Sequence, residues 1–282
     1  MIEPKKSLGQ NFLRDEKILK EIIGAADLTA DDLVIEVGPG EGALTKELVK
    51  YAGRVIAVEK DENLANFLKL KITNPKSQVN SKLKIFKEDI LKINLPLLIE
   101  QNNFFNYKVI ANIPYYITSP IIRLFLETTY PPTEMILMVQ KEVAERICAR
   151  PGEMSILAVS VQYYATPELL FYVPKEAFWP VPEVDSAVIK ISNLTLPTCL
   201  PDRQAGRQES QISKIETNHF FKLVKSGFSA KRKTLANNLS TSLKLDKKNV
   251  EKILKKIGLN PNVRAQELGL REWKKLARVF QI

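Results

Sequence analysis

The segment VIANIPYYITSPII spans Val109 to Ile122. A β-branched apolar run breaks off at Asn112 and continues into Ile113, Pro114 and two tyrosines, Tyr115 and Tyr116. At the end of a buried strand, these residues offer an amide oxygen, a backbone carbonyl beside a proline, and a flat ring. Two acceptors and a stacking face suit an exocyclic amine on a planar base. The competing interpretation is an ordinary strand-ending turn with surface tyrosines.

A second constellation lies upstream. EVGPGEGALT, from Glu36 to Thr45, places Gly38, Gly40 and Gly42 between an apolar strand and a helix that begins at Ala43. Such a turn lets backbone approach a ligand at a helix N-terminus. It also satisfies the relaxed dinucleotide fingerprint, so a nicotinamide oxidoreductase stays open at this point. Glu59 closes the run RVIAVE, where its carboxylate can accept from both hydroxyls of a ribose. Asp89 follows IFKE and can accept from an adenine amino group. Either acid alone reads as an exposed strand-end carboxylate. Together with the glycine turn they surround the crevice of a doubly wound sheet and point to an adenosine-type ligand.

The elements that must position these groups are visible as periodicity. LVIEV (33–37), RVIAV (54–58), LKIF (83–86), YKVIA (107–111) and MILMV (135–139) predict strands, each followed by a helical or turn segment. This is the βαβ rhythm of a parallel sheet covered on both faces. LAVSVQYYA, ELLFYV and SAVIKI then predict a closely spaced antiparallel edge. Residues 193–216 are polar and without periodicity and predict a linker. Beyond it the pattern is wholly helical. The expected organisation is a catalytic domain over 1–192, a linker over 193–216 and a small all-α domain over 217–282.

The chain has 282 residues and a net charge of +10. From Thr217 onward, 16 Lys and Arg face 4 Asp and Glu, whereas the preceding residues carry a net −2. Charge segregated in this way predicts a polyanionic partner, nucleic acid before membrane. Lys231, Arg232 and Lys233 form its densest cluster, expected to open a helix and face outward. Cys148 and Cys199 stand apart, and His219 is the single histidine, so no disulfide framework and no His/Cys metal site is expected. The N-terminus lacks a signal-peptide core, and no apolar run reaches the length of a membrane span. A reduced, cytoplasmic protein is expected.

Asn-Ile-Pro-Tyr after such a nucleotide site resembles the N6-adenine methyltransferases that use S-adenosylmethionine. SLGQNFL (7–13), FWPVPEVDSAV (178–188) and FSAKRKTLANNL (228–239) narrow the resemblance to the ribosomal RNA adenine dimethyltransferases, and within them to the bacterial small-subunit type. The likeness runs from Ser7 to the C-terminal helices. It implies a Rossmann-like class I methyltransferase sheet and modification of two neighbouring adenosines near the 3′ end of 16S ribosomal RNA, either free or in the immature small subunit. By the same resemblance, cofactor contacts fall on Asn11, Leu13, Gly38, Glu59, Asp89 and Asn112. Tyr115 would stack on the target adenine, with Phe178 as the opposite wall. A monomer without metal is expected. The alternatives are an enzyme of the same chemistry acting on large-subunit RNA, and a nonenzymatic RNA-binding assembly factor. One departure from the family is the segment PGEMSILAV (151–159), where its members carry a Tyr-Gly pair.

Overall fold

A computed structural model describes residues 3–5, 8–72, 79–194 and 207–280. Nine strands occur among them: β1 Phe12–Leu13, β2 Leu33–Val37, β3 Arg54–Glu59, β4 Leu83–Lys87, β5 Tyr107–Asn112, β6 Glu134–Gln140, β7 Thr166–Val173, β8 Phe178–Trp179 and β9 Ser186–Ser192. Seven of them form one sheet in the order β4-β3-β2-β5-β6-β9-β7. β2 pairs in parallel with both β3 and β5, and β6 continues the parallel run. β9 is antiparallel to both of its neighbours, β6 and β7. The expected mostly parallel sheet with an antiparallel margin is therefore present.

Strand order reverses between β2 and β5. That is the switch point at which an open α/β sheet leaves a crevice beyond the carboxyl ends of its strands. Glu36–Val37, Glu59 and Asn112 all lie at those ends. The β-branched cores of the strands explain their burial: Val34, Ile35, Val55, Ile56, Val109 and Ile110 are all at most 1% exposed. Alternate residues face opposite sides. On one side Val34, Val55, Ile110 and Ile136 join Ile18, Ile22, Leu44 and Leu48 from the helices Glu16–Ala26 and Ala43–Tyr51 in a single apolar cluster. Asp15 caps the first of these helices, its side chain accepting from the backbone N–H of Lys17 and Ile18.

The chain divides into two compact units. One comprises Met1–Glu145 with Ala165–Thr195, the other Arg146–Tyr164 with Leu196–Ile282. Two differences from expectation follow. LAVSVQYYA is not a strand; all of it but the final Ala165 lies in the helix Ile156–Tyr164. An apolar run of this length fits either a buried strand or a buried helix. Ser155 Oγ accepts from Ala158 N at 3.2 Å, and Met154, Ala158 and Val159 are buried with Phe220, Leu223, Leu239 and Trp273. Capping and apolar packing thus outweigh β-propensity, and the segment belongs with the helical unit. The linker expected over 193–216 lies partly outside the described residues, and from Arg207 the chain is helical, in the helix Arg207–Gly227.

The helical unit is built around Trp273, fully buried and stacked on Phe228 with ring centroids 5.5 Å apart. Gly227 leaves room for the indole: a Cβ there would meet Trp273 Cη2 at 2.4 Å and Leu235 Cδ1 at 2.9 Å. Gly227→Ala should therefore destabilise this unit by about 1–3 kcal/mol through overpacking. Urea unfolding of the full chain measures this, and an unchanged midpoint would show that the indole repacks freely.

Candidate active site

A cleft of about 240 Å³ opens at the switch point. Its floor is the turn after β2. Gly38, Gly40 and Gly42 have φ of 66°, 59° and 81°, in the left-handed region that favours glycine. Gly40 meets a second constraint. A Cβ there would lie 3.0 Å from the ring of Phe12, so the N-terminal segment rests directly on the turn. That segment, from Leu8 to Arg14, supplies one wall of the cleft.

Several contacts hold the wall in place. Asp61 accepts from Gln10 Nε2 at 3.1 Å and pairs with Lys5 Nζ at 2.8 Å. Burial opposes its ionisation, but the Lys5 and Gln10 side chains outweigh it and hold the carboxyl below its ordinary range. Arg14 Nη2 pairs with Glu41 at 2.6 Å, and β1 pairs with β8.

Asn11, Leu13, Gly38, Glu59, Asp89, Asn112 and Tyr115 all line this cleft. Glu59 is 6% exposed, with Oε2 accepting from Gly40 N at 3.2 Å and Oε1 from Asp61 N at 2.8 Å. Burial raises its pKa, and those two N–H groups counter the rise. The carboxylate is thereby fixed between turn and strand end, with lone pairs left for hydroxyl donors. Asp89 pairs with Lys60 Nζ at 3.0 Å and accepts from Leu91 N at 3.1 Å. Burial acts against its charge, but these partners hold it below the usual carboxylate range.

At the end of β5, Asn112 Nδ2 donates to the Asn11 carbonyl at 3.3 Å. That commitment leaves Oδ1 as the acceptor. Ile113 N donates to Met138 O at 3.0 Å, and the Ile113 side chain is buried, which pins the turn to the sheet. The Tyr115 hydroxyl lies 2.7 Å from Ser186 Oγ at the start of β9, and Ser186 is fully buried. Burial raises the Tyr115 pKa, so the phenol stays neutral.

Phe178 is placed otherwise than expected. It is 3% exposed, pairs across β1 with Leu13 and belongs to the apolar cluster, while the cleft is lined without it. Its neighbour Trp179 is 42% exposed. Lys231, Arg232 and Lys233 are exposed as expected, but they form a turn before the helix Leu235–Leu243 rather than opening it. Thr234, the residue after the cluster, caps that helix by accepting from Asn237 N at 3.4 Å, which sets its start at Leu235. Ser186, Gln10 and Asp61 were not singled out as site residues. Ser186 is the polar end of the FWPVPEVDS run, and a small hydroxyl leading a buried strand was its one visible signal.

Glu36 stands apart. It is 2% exposed on β2 and lines the cleft, and its Oε2, like Thr45 Oγ1, is buried without a hydrogen-bond partner. Burial pushes its pKa up to about 8, the charge of Glu59 adds to the rise, and the nearby Thr45 offsets part of it. An orphaned acceptor beside a glycine turn fits a polar ligand with cationic or donor groups. Among the described residues, no group of three His, Cys, Asp or Glu side chains could hold a metal ion, and no helix is long and apolar enough to cross a membrane. Because the folded chain binds the Glu36 proton more tightly than the unfolded chain, stability should fall as pH rises from about 4.5 toward about 8. Glu36→Gln should remove that slope, so its melting temperature should gain on the parent between roughly pH 5 and pH 8.5. A constant difference across that range would contradict a neutral Glu36.

Comparison with known proteins places this geometry in context. The family model "Ribosomal RNA adenine dimethylase" matches residues 1–281. A ribosomal RNA small subunit methyltransferase A from Dehalococcoides mccartyi is 42% identical over 279 residues, covering 99% of this chain and 89% of that protein. One of the same name from Fusobacterium nucleatum is 39% identical, covering 98% and 97%. Among solved structures, a dimethyladenosine transferase from Plasmodium falciparum superposes with a TM-score of 0.73 at 25% identity, covering 94% and 95%. A 23S rRNA methyltransferase gives 0.70 at 26% identity, covering 95% and 98%. The chain belongs to the ribosomal RNA adenine dimethylase family.

Proposed function

We propose that this protein transfers methyl groups from S-adenosylmethionine to the N6 amines of two adjacent adenosines near the 3′ end of 16S ribosomal RNA. The observation that carries the reading is Asn112. Its amide nitrogen is tied to the Asn11 carbonyl, which turns its oxygen into a fixed acceptor at the cleft. Relatives named for the small ribosomal subunit favour this substrate over large-subunit RNA.

When bound, S-adenosylmethionine supplies an electrophilic methyl group. Glu59 would accept from its ribose hydroxyls, Asp89 from its adenine amine once Lys60 shares or yields that carboxylate, and the backbone at Gly38 would allow close approach. Asn11 and Leu13 would close the cleft over it. These residues bind and orient.

The chemical obstacle is that an adenine N6 lone pair is delocalised into the ring. Asn112 Oδ1 and the Ile113 carbonyl, accepting the two N–H bonds, would draw the nitrogen toward tetrahedral geometry and aim its lone pair. Tyr115, held by Ser186, would fix the plane of the base. Catalysis of this kind is positioning and electrostatic preorganisation. The nitrogen becomes strongly acidic once alkylated, so its proton can pass to solvent without a dedicated base. The target must leave its stack to enter, which is easier from a loop than from a duplex. Lys231, Arg232 and Lys233, with the exposed Lys248, Lys252 and Lys255 of the helix Lys247–Lys256, would contact phosphates.

Asn112→Ala should lower the single-turnover methylation rate by about 10²–10³-fold, with RNA affinity changed by less than about twofold because the amide acts mainly at the transition state. A near-normal rate would remove Asn112 from the chemistry. Absence of S-adenosylmethionine binding by the parent protein in calorimetry would end the whole reading. The Tyr115–Ser186 bond has its own test. Tyr115→Phe and Ser186→Ala should each slow transfer by about 0.5–1.5 kcal/mol, and the double variant should be little worse than either. Strict additivity would mean that the two hydroxyls act separately.

A further inference from the structure

Trp179 is the exposed member of a two-residue strand whose other member, Phe178, is buried. Side chains alternate along a strand, so burying Phe178 turns the indole outward. β8 pairs with β1 in the register Phe12↔Trp179 and Leu13↔Phe178, and both Phe12 and Leu13 line the cleft. Trp179 therefore stands one strand away from the cleft wall. Arg14, which also lines the cleft, lays its guanidinium 5.6 Å from the centre of the Trp179 ring while paired to Glu41. The Arg14 side chain is 46% exposed, so this planar cation stays accessible to a ligand while paired to Glu41.

We infer that Trp179, with Arg14 laid over its ring, is a stacking platform for the base next to the target adenosine. The inference rests on the reading that the cleft takes a target adenine. Extruding a base strips a stacking partner from its neighbour. An exposed indole beside the cleft replaces that lost face, and its π-surface accepts any base. The guanidinium stacks on the same system and carries a charge that suits the adjoining phosphate. For a substrate with two adjacent adenosines, the platform holds one while the other lies in the cleft.

The test uses the full-length protein with S-adenosylhomocysteine and an RNA hairpin carrying two adjacent adenosines in its loop. Each base flanking the target is replaced in turn by an abasic nucleotide, and affinity is read by fluorescence anisotropy. Trp179→Ala should lower affinity roughly tenfold, and Trp179→Phe should restore most of it. One abasic replacement should weaken binding to the parent but not weaken Trp179→Ala further. Equal losses in both proteins, or parent-like affinity of Trp179→Ala, would overturn the platform. Loss of S-adenosylhomocysteine binding by Trp179→Ala would also overturn it, by making the indole a wall of the cofactor site. A parent protein that shows the abasic pattern yet transfers no methyl group would keep the platform and remove the proposed function instead.

Discussion

The ring of Phe12 lies against Gly40 so closely that a Cβ there would stand only 3.0 Å from it, and the arrangement of the cleft follows from that contact. It seats the N-terminal segment on the glycine turn and brings the Asn11 carbonyl to the amide of Asn112. It also positions β1 to pair with β8, which carries Phe178 inward and Trp179 outward. Gly40 contributes a second restraint, because its N–H donates to the Glu59 carboxylate. The end of β3, the turn after β2 and a segment remote in sequence are thus locked together through one residue.

The acids in and around the cleft differ in their partners. Asp61, itself buried, and Asp89 are paired with Lys5 and Lys60 and stay ionised. Glu36 and Glu59 lie at the ends of adjacent strands. Both are buried, and the charge of Glu59 helps raise the pKa of Glu36. Glu59 has two backbone N–H donors, whereas Glu36 Oε2 has no partner. Two neighbouring acids with such unequal support cannot both be comfortably charged. A buried, unsatisfied carboxyl on β2 lowers stability without helping the fold, which is the pattern expected of a group that serves a ligand.

Much of this was legible in the sequence because the relevant signals are local. Apolar β-branched runs located the five parallel strands to within a residue or two. The Gly38–Gly42 turn and the acids at Glu59 and Asp89 were readable as strand-end chemistry. What was not legible depends on contacts across the chain. The run at 156–164 is apolar enough for either structure, and only its packing against Phe220 and Trp273 makes it a helix. The burial of Phe178 is decided by β1, far upstream, through the Leu13 pairing. Ser186 acquires meaning from Tyr115, 71 residues away in sequence. No window along the chain contains both.

The two halves of the proposed chemistry come from different parts of the sheet. Groups suited to holding a cofactor sit in the N-terminal segment and at or just beyond the ends of β2, β3 and β4. Groups suited to orienting an amine sit after β5 and at the start of β9, and β6 lies between those two strands. Ile113 N bonds to Met138 O on β6, and β6 pairs along its length with β9, so the Asn112 turn and Ser186 are referenced to the same strand. A hydrogen-bonded strand flexes little, and the distance from Asn112 to the Tyr115 anchor is set by the sheet rather than by a loop. A loop would give the base room to approach in many poses. Methyl transfer to a delocalised amine tolerates few, and a ladder of backbone bonds beneath the site is a direct way to select among them.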